Sequence, residues 1–435
     1  MTETESNDPA RRSDSWLALK SCLDRLSHGP WKFIRLRKGS LSEDAIDGDD
    51  VDLLGSRGSV DALLLAAQSW VRAGECHLRV KSGNGAKVGL HLISSDGRHR
   101  LDFDLWIDLR QIDDRKRGLT YDGCRSAVIN PADSIQQLPI EVEASIFIHH
   151  LVSKRKKISA PKQLARLTAY AEECRKNGGE MLAGALESTA AAAKVSDETA
   201  QLTLGILEKS VRVSQPGAIR HTMRRLTGAI SSAWFTAPWK FPMLVIMGCD
   251  GCGKTTLAKQ LSKRRSDIHS VYTGKHLYRK WIIYKLLVIF VRPLLFQGRE
   301  KFDDTFAPLA YLLASLRLRL KLLIKRKGTV LIDRSLMDFL LVARKTDTPK
   351  FCASTWLSSA FGVRLPHVHF IVPFERLQER KLEMTRAGHE IYDNEMFRHF
   401  TGRAPTDYTL FDNRGSLEDS ADALERVFEW LNQSC

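Results

Sequence analysis

The sequence lacks an apolar run long enough to span a membrane. Its most apolar stretch, residues 281–296, is interrupted by Lys285, Arg292 and Pro293 before it reaches the ~20 residues that a transmembrane helix needs. This stretch therefore predicts a buried helix, with a peripheral membrane contact as the alternative. The chain also opens without an apolar signal segment, so the cytoplasm is the expected location.

Cysteine is sparse, and its spacing does not suggest disulfides. Eight cysteines are scattered along 435 residues, far apart except for Cys249 and Cys252, and this spacing excludes the framework of a small disulfide-bonded extracellular domain. Internal repeats and long low-complexity tracts are lacking too, which argues against a repeat architecture and against extended disorder. Only residues 1–15 are polar enough to predict a disordered tail.

Length and charge indicate a multidomain protein with an anionic partner. A chain of 435 residues exceeds one typical core and predicts two or three domains. A formal net charge of +15 favours nucleotides, phosphorylated intermediates, nucleic acid or an acidic membrane surface. Charge alone does not choose among them, so nucleic acid stays open as a partner.

The hydrophobic pattern changes along the chain and predicts four regions. Residues 16–140 combine short alternating strands with a helix, and residues 141–230 have helical spacing with few breakers. Residues 231–242, with two prolines and two tryptophans, form the predicted linker. Residues 243–435 alternate apolar strands with long helices, as in a parallel sheet with crossover helices. The predicted class is α/β, and we call the parts before and after the linker the front half and the back half.

A glycine-rich segment follows the first apolar strand of the back half. Residues 248–255 read GCDGCGKT and match the pattern G-x-x-x-x-G-K-[ST]. Glycines allow successive backbone N–H groups to face an anion, and the next helix adds the positive charge of its N-terminus. Lys254 is expected to bridge the outer phosphates of a nucleotide, and Thr255 to offer its hydroxyl to Mg²⁺. Cys249 and Cys252 form a CxxC inside this loop; packing is their predicted role, and a regulatory disulfide is the alternative.

The loop resembles that of one enzyme family. Asp250 and the tandem Thr255 and Thr256 are similar to the G-x-D-G-x-G-K-T-T loop of thymidylate kinases and related nucleoside and nucleotide kinases. The stretch GTVLIDRSLMD at 328–338 resembles that family's strand-end D-R motif, and residues 365–381 resemble its next strand and lid region. The resemblance implies a P-loop kinase fold, with a parallel five-stranded sheet flanked by helices.

The resemblance also implies roles for individual residues. Asp333 is expected near Mg²⁺ and substrate, Arg334 on a phosphate, and Arg380 in the lid. ATP and Mg²⁺ are the implied cofactors, with Thr255 and Asp333 as metal ligands. The implied catalytic residues are Lys254, Asp333, Arg334 and Arg380, and the implied ATP-binding residues are Gly248, Asp250, Gly251, Cys252, Gly253, Lys254, Thr255, Thr256 and Arg380.

The acceptor side departs from the thymidylate kinase pattern. That family's R-E-P-G-G motif after the second strand is absent, and the sequence reads SVYTGKHLYRK at 270–280 instead. The expected acceptor is therefore a nucleoside, a nucleotide or a related small molecule that carries a phosphate or hydroxyl group. A sugar or surface-glycan precursor is the alternative, because similar kinase-like proteins occur among enzymes of bacterial surface-glycan synthesis.

An acidic pattern in the front half resembles the signature of nucleotidyltransferases. Gly39 and Ser40 precede Asp50 and Asp52, and a later strand carries Asp102 and Asp104. Because side chains alternate along a strand, Asp50 and Asp52 are expected on one face, where a divalent cation would relieve their repulsion. The resemblance implies an α+β nucleotidyltransferase-like domain with a helical extension, and Asp50, Asp52 and Asp104 as its metal ligands.

The leading hypothesis is thus a kinase fused to a nucleotidyltransferase-like domain. An interpretation from another class is an ATP-gated regulatory or defence protein, whose front half modifies RNA or protein. A homodimer is left open.

Overall fold

The structure is a computed structural model, and it describes most of the chain outside several loops and the linker. The described residues are 14–37, 45–48, 50–82, 85–110, 118–153, 158, 161–213, 243–273, 282–286, 289, 311, 313–315, 317, 318, 320, 329–335, 341–342, 350–351, 365–380, 385–402 and 406–433. The Gly39–Ser40 motif, the predicted linker and most of the apolar stretch 281–296 lie outside this set. Where the stretch is described, the prediction of burial is wrong, because the apolar side chains of Ile282, Leu286 and Ile289 are exposed.

The front half begins with a mixed set of strands and helices. In chain order they are α1 (Asp14–His28), β1 (Phe33–Arg35), β2 (Val51–Gly55), α2 (Arg57–Ala73), β3 (Cys76–Ser82), β4 (Lys87–Ser94), β5 (Arg100–Trp106), β6 (Asp108–Arg110), β7 (Gly118–Thr120), α3 (Tyr121–Cys124) and β8 (Ile135–Gln136). The helix predicted between the strands is α2. Its N-cap Ser56 accepts a hydrogen bond from the Ser59 amide, and Gly74 ends it in the left-handed conformation with φ of 85°.

Four helices follow in the described part of the predicted helical region. They are α4 (Ile140–Ser153), α5 (Pro161–Lys176), α6 (Glu180–Ala192) and α7 (Asp197–Ser210). These helices enclose a core of their own, which includes Phe147, Tyr170 and Leu186. The Tyr170 hydroxyl donates to Glu143 at 2.9 Å, which pairs a buried carboxylate with a buried phenol.

The back half alternates strands and helices. Its elements are β9 (Met243–Met247), α8 (Lys254–Arg264), β10 (Ile268–Tyr272), α9 (Ile282–Leu286), β11 (Thr329–Asp333), β12 (Leu341–Val342), β13 (Lys350–Phe351), β14 (His367–Ile371), α10 (Phe374–Arg380), α11 (Arg386–Thr401), β15 (Thr406–Asp412) and α12 (Leu417–Gln433). The predicted mixed α/β class is confirmed. Among the described residues, no helix combines the length and apolar character that crossing a bilayer would require.

Eleven of the described strands form one sheet. Their order is β10-β11-β9-β14-β15-β3-β4-β5-β2-β1-β8. The five strands from the back half are all parallel, and β15 then pairs antiparallel with β3 of the front half. The two halves, which the sequence suggested as separate units, therefore share a continuous sheet. Whether each half has the kinase or nucleotidyltransferase fold type stays a prediction, as do the predicted domain boundaries.

Strand β9 lies where the chain reverses its direction across the sheet. It pairs with β11 on one side and with β14 on the other, so that the connection after β9 leads outward to β10 before the chain returns past β9. In parallel sheets, such a switch opens a crevice at the carboxyl ends of the strands, where ligands bind. The glycine-rich loop after Met247 starts at this end of β9.

The junction between β15 and β3 buries charged groups as well as apolar ones. Leu78 and Leu410 face each other in the register of the two strands and belong to one core that extends through both halves. The guanidinium of Arg79 forms two parallel hydrogen bonds with the carboxylate of Asp407, at 2.9 and 2.8 Å, and only 5% of the Arg79 side chain is exposed. Such two-point pairing fixes the register of the junction as well as its charge balance.

His77 makes a contact between the two halves that requires its imidazole to be neutral. Its ring stacks on Phe411 at 4.1 Å, and its Nδ1 accepts the backbone N–H of Asp412 at 3.1 Å. Burial lowers the pKa of His77 to about 4. The imidazole is therefore neutral near pH 7, which the accepting role of Nδ1 requires.

We predict that His77 makes the protein sensitive to mild acid. Between pH 6.5 and 4 the unfolded chain carries the extra proton on this histidine, so the free energy of unfolding falls as the pH falls, by up to about 1.4 kcal/mol per pH unit. In His77→Phe the ring stacking is retained and the titration is removed, so the plot of unfolding free energy against pH should be shallower in this window. Denaturant unfolding at several pH values measures this slope.

The comparison of wild type with His77→Phe isolates the titration of His77. Burial raises the pKa of Asp412 to about 6, which acts in the opposite sense, but Asp412 is present in both proteins. The control is His28→Phe, at an exposed position on α1, which should leave the slope unchanged. A His77→Phe slope equal to that of the wild type would contradict the prediction.

Candidate functional site

The glycine-rich loop connects β9 to α8, as the sequence predicted. Gly248, Gly251 and Gly253 have φ of 141°, 90° and 92°, a region that other residues rarely adopt. A Cβ at Gly248 would also lie 2.6 Å from the carbonyl oxygen of Phe370. No side chain caps the N-terminus of α8, so its positive end faces the loop. The strand, loop and helix thus have the arrangement that an anion-binding loop requires.

Lys254 is buried against the loop that precedes it. Its Nζ donates to the carbonyl oxygens of Gly248 and Cys249 at 2.7 and 2.5 Å, and only 5% of the side chain is exposed. Burial alone would lower the pKa of Lys254, but the nearby Cys252 and Asp250 outweigh it and raise the pKa. Lys254 is therefore protonated at neutral pH, with acidic groups of the loop beside it.

Asp333 brings a carboxylate to the same place. It ends β11, opposite Ile246 of β9, and the Thr255 hydroxyl donates to its Oδ2 at 3.1 Å. Its Oδ1 is buried without a hydrogen-bond partner among the described residues. A buried carboxylate with one unused oxygen, beside a hydroxyl, offers the hard oxygen ligands that Mg²⁺ prefers.

A Mg²⁺ site needs few ligands from the protein. Within the described ranges there is no group of three or more His, Cys, Asp or Glu side chains that could hold a metal ion. Mg²⁺ needs no such group, because it is commonly held by one or two carboxylates, water and the phosphates of a substrate.

Arg334 adds a second cation to the loop. Its Nη2 donates to Oδ1 of Asp250 at 2.7 Å, and its guanidinium lies 6.0 Å from the ring centre of Tyr272. Its backbone has φ of 82°, which is costly for an arginine and is often retained at functional sites. Its amide donates to the carbonyl of Ile246 at 3.0 Å, which helps to hold this conformation. The structure thus brings Asp250, Lys254, Asp333 and Arg334 together, as the sequence suggested.

Two further predicted residues of the back half, Thr256 and Arg380, make no described contact with the loop site. Thr256 lies exposed in the first turn of α8. Arg380 ends α10, and its side chain lies outside the described part of the chain, so its lid role stays a prediction. Nearby, Arg386 donates to Glu375 at 2.6 Å and covers the ring of Phe374.

Two cysteines shape the inner side of the loop. Cys249 and Cys252 are free and buried, and their thiols hydrogen bond to each other. This contact and burial raise the pKa of Cys249. Burial acts to raise the pKa of Cys252, but the Cys249 thiol and the Lys254 ammonium, 3.6 Å from its Sγ, lower it to about 6. The predicted packing role of the two cysteines stays a prediction.

Sequence reasoning missed a contact between the loop and the last strand of the parallel set. Asn413 directly follows β15, and its side-chain Nδ2 donates to the carbonyl of Cys252 at 2.7 Å. It also missed a buried group behind the loop, in which His369 contacts the Tyr408 hydroxyl at 2.6 Å and Asp393 at 3.1 Å. The only available signal was that these polar residues interrupt apolar segments.

The acidic residues of the front half also come together. Asp52 and Asp104 are direct partners in the register of β2 and β5. The pKa of Asp50 is raised, first by burial and then by the charges of Asp104 and Asp102. Asp50 therefore lies near Asp102 and Asp104, and Asp52 lies beside Asp104 across the two strands. We call these four carboxylates the acidic cluster; no three of them are placed to hold a metal ion together.

Three carboxylates of this cluster contact a cation. Asp52 pairs with Arg37 at 2.9 Å and accepts from the Trp106 indole at 2.9 Å. Asp104 pairs with Lys87, and Asp102 contacts His91 and Arg100 at 2.7 and 3.1 Å. The role of Asp50, Asp52 and Asp104 as metal ligands stays a prediction.

Comparisons with known proteins give limited information. No protein-family model matches the chain, and no curated protein matches it. Among solved structures, a thymidylate kinase from Candida albicans is similar at 17% identity over 44% of this chain and 92% of its own, with a TM-score of 0.32. These comparisons assign no family, so the geometry of the loop is the stronger guide to function.

We predict that Asp333→Asn separates folding from Mg²⁺ binding. An amide can still accept from Thr255 and removes a buried charge, so the Tm of the ligand-free protein should stay the same or rise. The additional stabilisation by ATP that depends on Mg²⁺, about 2.7 kcal/mol at a hundredfold excess over Kd, should be lost. Thermal unfolding with ATP, with and without Mg²⁺, measures both effects.

A matched control lies at the opposite end of the same strand. Thr329 donates to Asp267 at 3.1 Å, so Asp267→Asn changes the same kind of pair away from the loop. It should keep the Mg²⁺-dependent stabilisation. An undiminished Mg²⁺ effect in Asp333→Asn would show that this carboxylate does not bind the metal.

Proposed function

We propose that this protein transfers the γ-phosphoryl group of ATP to a small acceptor that carries a hydroxyl or phosphate group. One observation carries the proposal: a buried, protonated lysine lies against a glycine loop beside a Thr255–Asp333 pair, at the switch point of a parallel sheet. This combination of a fixed cation, a helix N-terminus and a hard-metal ligand pair suits the phosphates of a nucleotide.

Phosphoryl transfer needs charge stabilisation more than covalent chemistry. Lys254 is the principal source of positive charge in the proposal. In the ligand-free protein its ammonium donates hydrogen bonds to carbonyl oxygens of the loop. We infer that the β- and γ-phosphate oxygens replace these carbonyls, so that the lysine moves little and its charge needs no new partner in the protein.

Thr255 and Asp333 are the residues that would hold Mg²⁺. When bound, the metal supplies charge neutralisation and orients the phosphates. The unused Oδ1 of Asp333 supports this assignment, since a buried carboxylate oxygen without a partner is costly unless a ligand satisfies it.

Arg334 is proposed to bind the acceptor through its phosphate or another polar group. Asp250 holds its guanidinium in the ligand-free protein, and an anionic substrate would compete for the same donors. The strained backbone of Arg334 supports a functional role rather than a structural one, because a glycine would adopt this φ at lower cost.

The acceptor class and the front half belong to the same proposal. A nucleoside or nucleotide is the acceptor that we favour, and a sugar or surface-glycan precursor is the alternative. We propose that the acidic cluster of the front half, Asp50, Asp52, Asp102 and Asp104, is a second, nucleotidyltransferase-like site. The competing function from another class is an ATP-gated switch that controls modification of RNA or protein by the front half.

The test is ATP consumption by the full-length protein with nucleosides, nucleoside monophosphates and sugar phosphates as acceptors. We expect turnover with one acceptor class, and a loss of at least about a hundredfold in kcat/KM for Lys254→Ala. Lys259→Ala, which removes an exposed lysine of the same helix, should retain wild-type turnover.

The other outcomes discriminate between the candidates. ATP binding without turnover of any acceptor would overturn the kinase proposal in favour of the ATP-gated switch. Equal loss in Lys259→Ala and Lys254→Ala would point to helix destabilisation instead of a role for the loop lysine. Asp50→Asn should leave acceptor phosphorylation unchanged, because the acidic cluster belongs to the second site.

A further inference from the structure

Asn413 is buried between the phosphate loop and the sheet. It follows β15 directly and only 5% of the residue is exposed. Its Nδ2 donates to the Cys252 carbonyl at 2.7 Å, while its backbone N–H donates to the carbonyl of Ile371, the last residue of β14, at 2.9 Å. The amide side chain is thus anchored to the sheet and reaches the loop.

Asn413 binds the Cys252 carbonyl, which lies between two glycines of the loop. Cys252 stands between Gly251 and Gly253, both with positive φ, so the backbone on either side has the wide freedom of glycine. The peptide unit is planar and trans, so its N–H points away from its carbonyl. Fixing the Cys252 carbonyl therefore aims the Gly253 N–H to the opposite side, toward a bound phosphate.

The residues on either side of Asn413 are held by the front half. The backbone N–H of Asp412 donates to His77 Nδ1 at 3.1 Å. Arg414 donates to the carbonyls of Arg72 and Ala73, at the C-terminal end of α2, at 2.5 and 3.0 Å. Arg414 also pairs with the Asp412 carboxylate at 2.6 Å. Three consecutive residues therefore connect front half and loop.

We propose that Asn413 is a positioning residue for the phosphate loop, and that the front half keeps it in place through His77 and the end of α2. The proposal rests on the nucleotide-binding function proposed above. It gives the shared sheet a function, because the front half then supports the ATP site in addition to any site of its own. Orienting the N–H group before the ligand arrives removes part of the cost of binding.

The decisive substitution is Asn413→Asp in the full-length protein. It keeps the size of the side chain but replaces the donor with a carboxylate that repels the Cys252 carbonyl. We expect the Kd of ATP to rise about tenfold, which corresponds to about 1.4 kcal/mol. We also expect hydrogen exchange of the loop amides 248–254 in the ligand-free protein to become about tenfold faster. Asn413→Ala, which only removes the donor, should change both quantities in the same direction.

The contribution of the front half is tested with His77→Phe. This change keeps a ring against Phe411 but removes the acceptor for the Asp412 N–H. Loop exchange should accelerate and the Kd of ATP should rise, because Asp412 and Asn413 connect His77 to the loop. The control is Thr409→Val, a near-isosteric change at a buried position of β15, which should leave both quantities unchanged.

Each outcome decides a part of the proposal. Asn413→Asp and Asn413→Ala with a lower Tm but unchanged loop exchange would show that Asn413 only stabilises the fold. If the Asn413 variants change loop exchange but His77→Phe does not, the role of His77 is overturned. If wild-type protein binds no ATP, the proposed function fails, yet the exchange rates still decide whether Asn413 holds the loop.

Discussion

The antiparallel pairing of β15 with β3 is the interaction on which the rest of this structure depends. It turns five parallel strands of the back half and six strands of the front half into one sheet, and it continues one hydrophobic core through both. The buried Arg79–Asp407 pair gives this junction a unique register, since a shift would leave both charges unpaired in an apolar environment. The halves are therefore joined by more than a chain connection.

The glycine-rich loop follows β9, which lies two strands from this junction. Strand β14 separates β15 from β9, and the residue after β15 reaches back across β14 to the loop. The loop keeps its positive charge because Lys254 is surrounded by carbonyl oxygens, a carboxylate and a thiol. A buried cation of this kind is costly without acceptors, so the carbonyl oxygens of the loop take the place of water around Lys254.

The two clusters of charge in the molecule have opposite character. Around the loop, the two cations Lys254 and Arg334 share Asp250 as an acidic partner, and the N-terminus of α8 adds partial positive charge. In the front half, four aspartates converge and cations balance three of them.

The sequence by itself determined the strand and helix pattern, the phosphate loop and the alternation that puts Asp50 and Asp52 on one face. These features depend on short-range rules: glycine at positive φ, helix caps, and the period of two along a strand. The resemblance to thymidylate kinases also implied positions for Asp333 and Arg334 near the nucleotide phosphates. The shared sheet and the contacts of His77 and Asn413 could not be predicted from the sequence. Residues 77 and 412 are 335 positions apart, and no local pattern records such a pairing. Only the tertiary structure decided it, through burial of the two strands against each other.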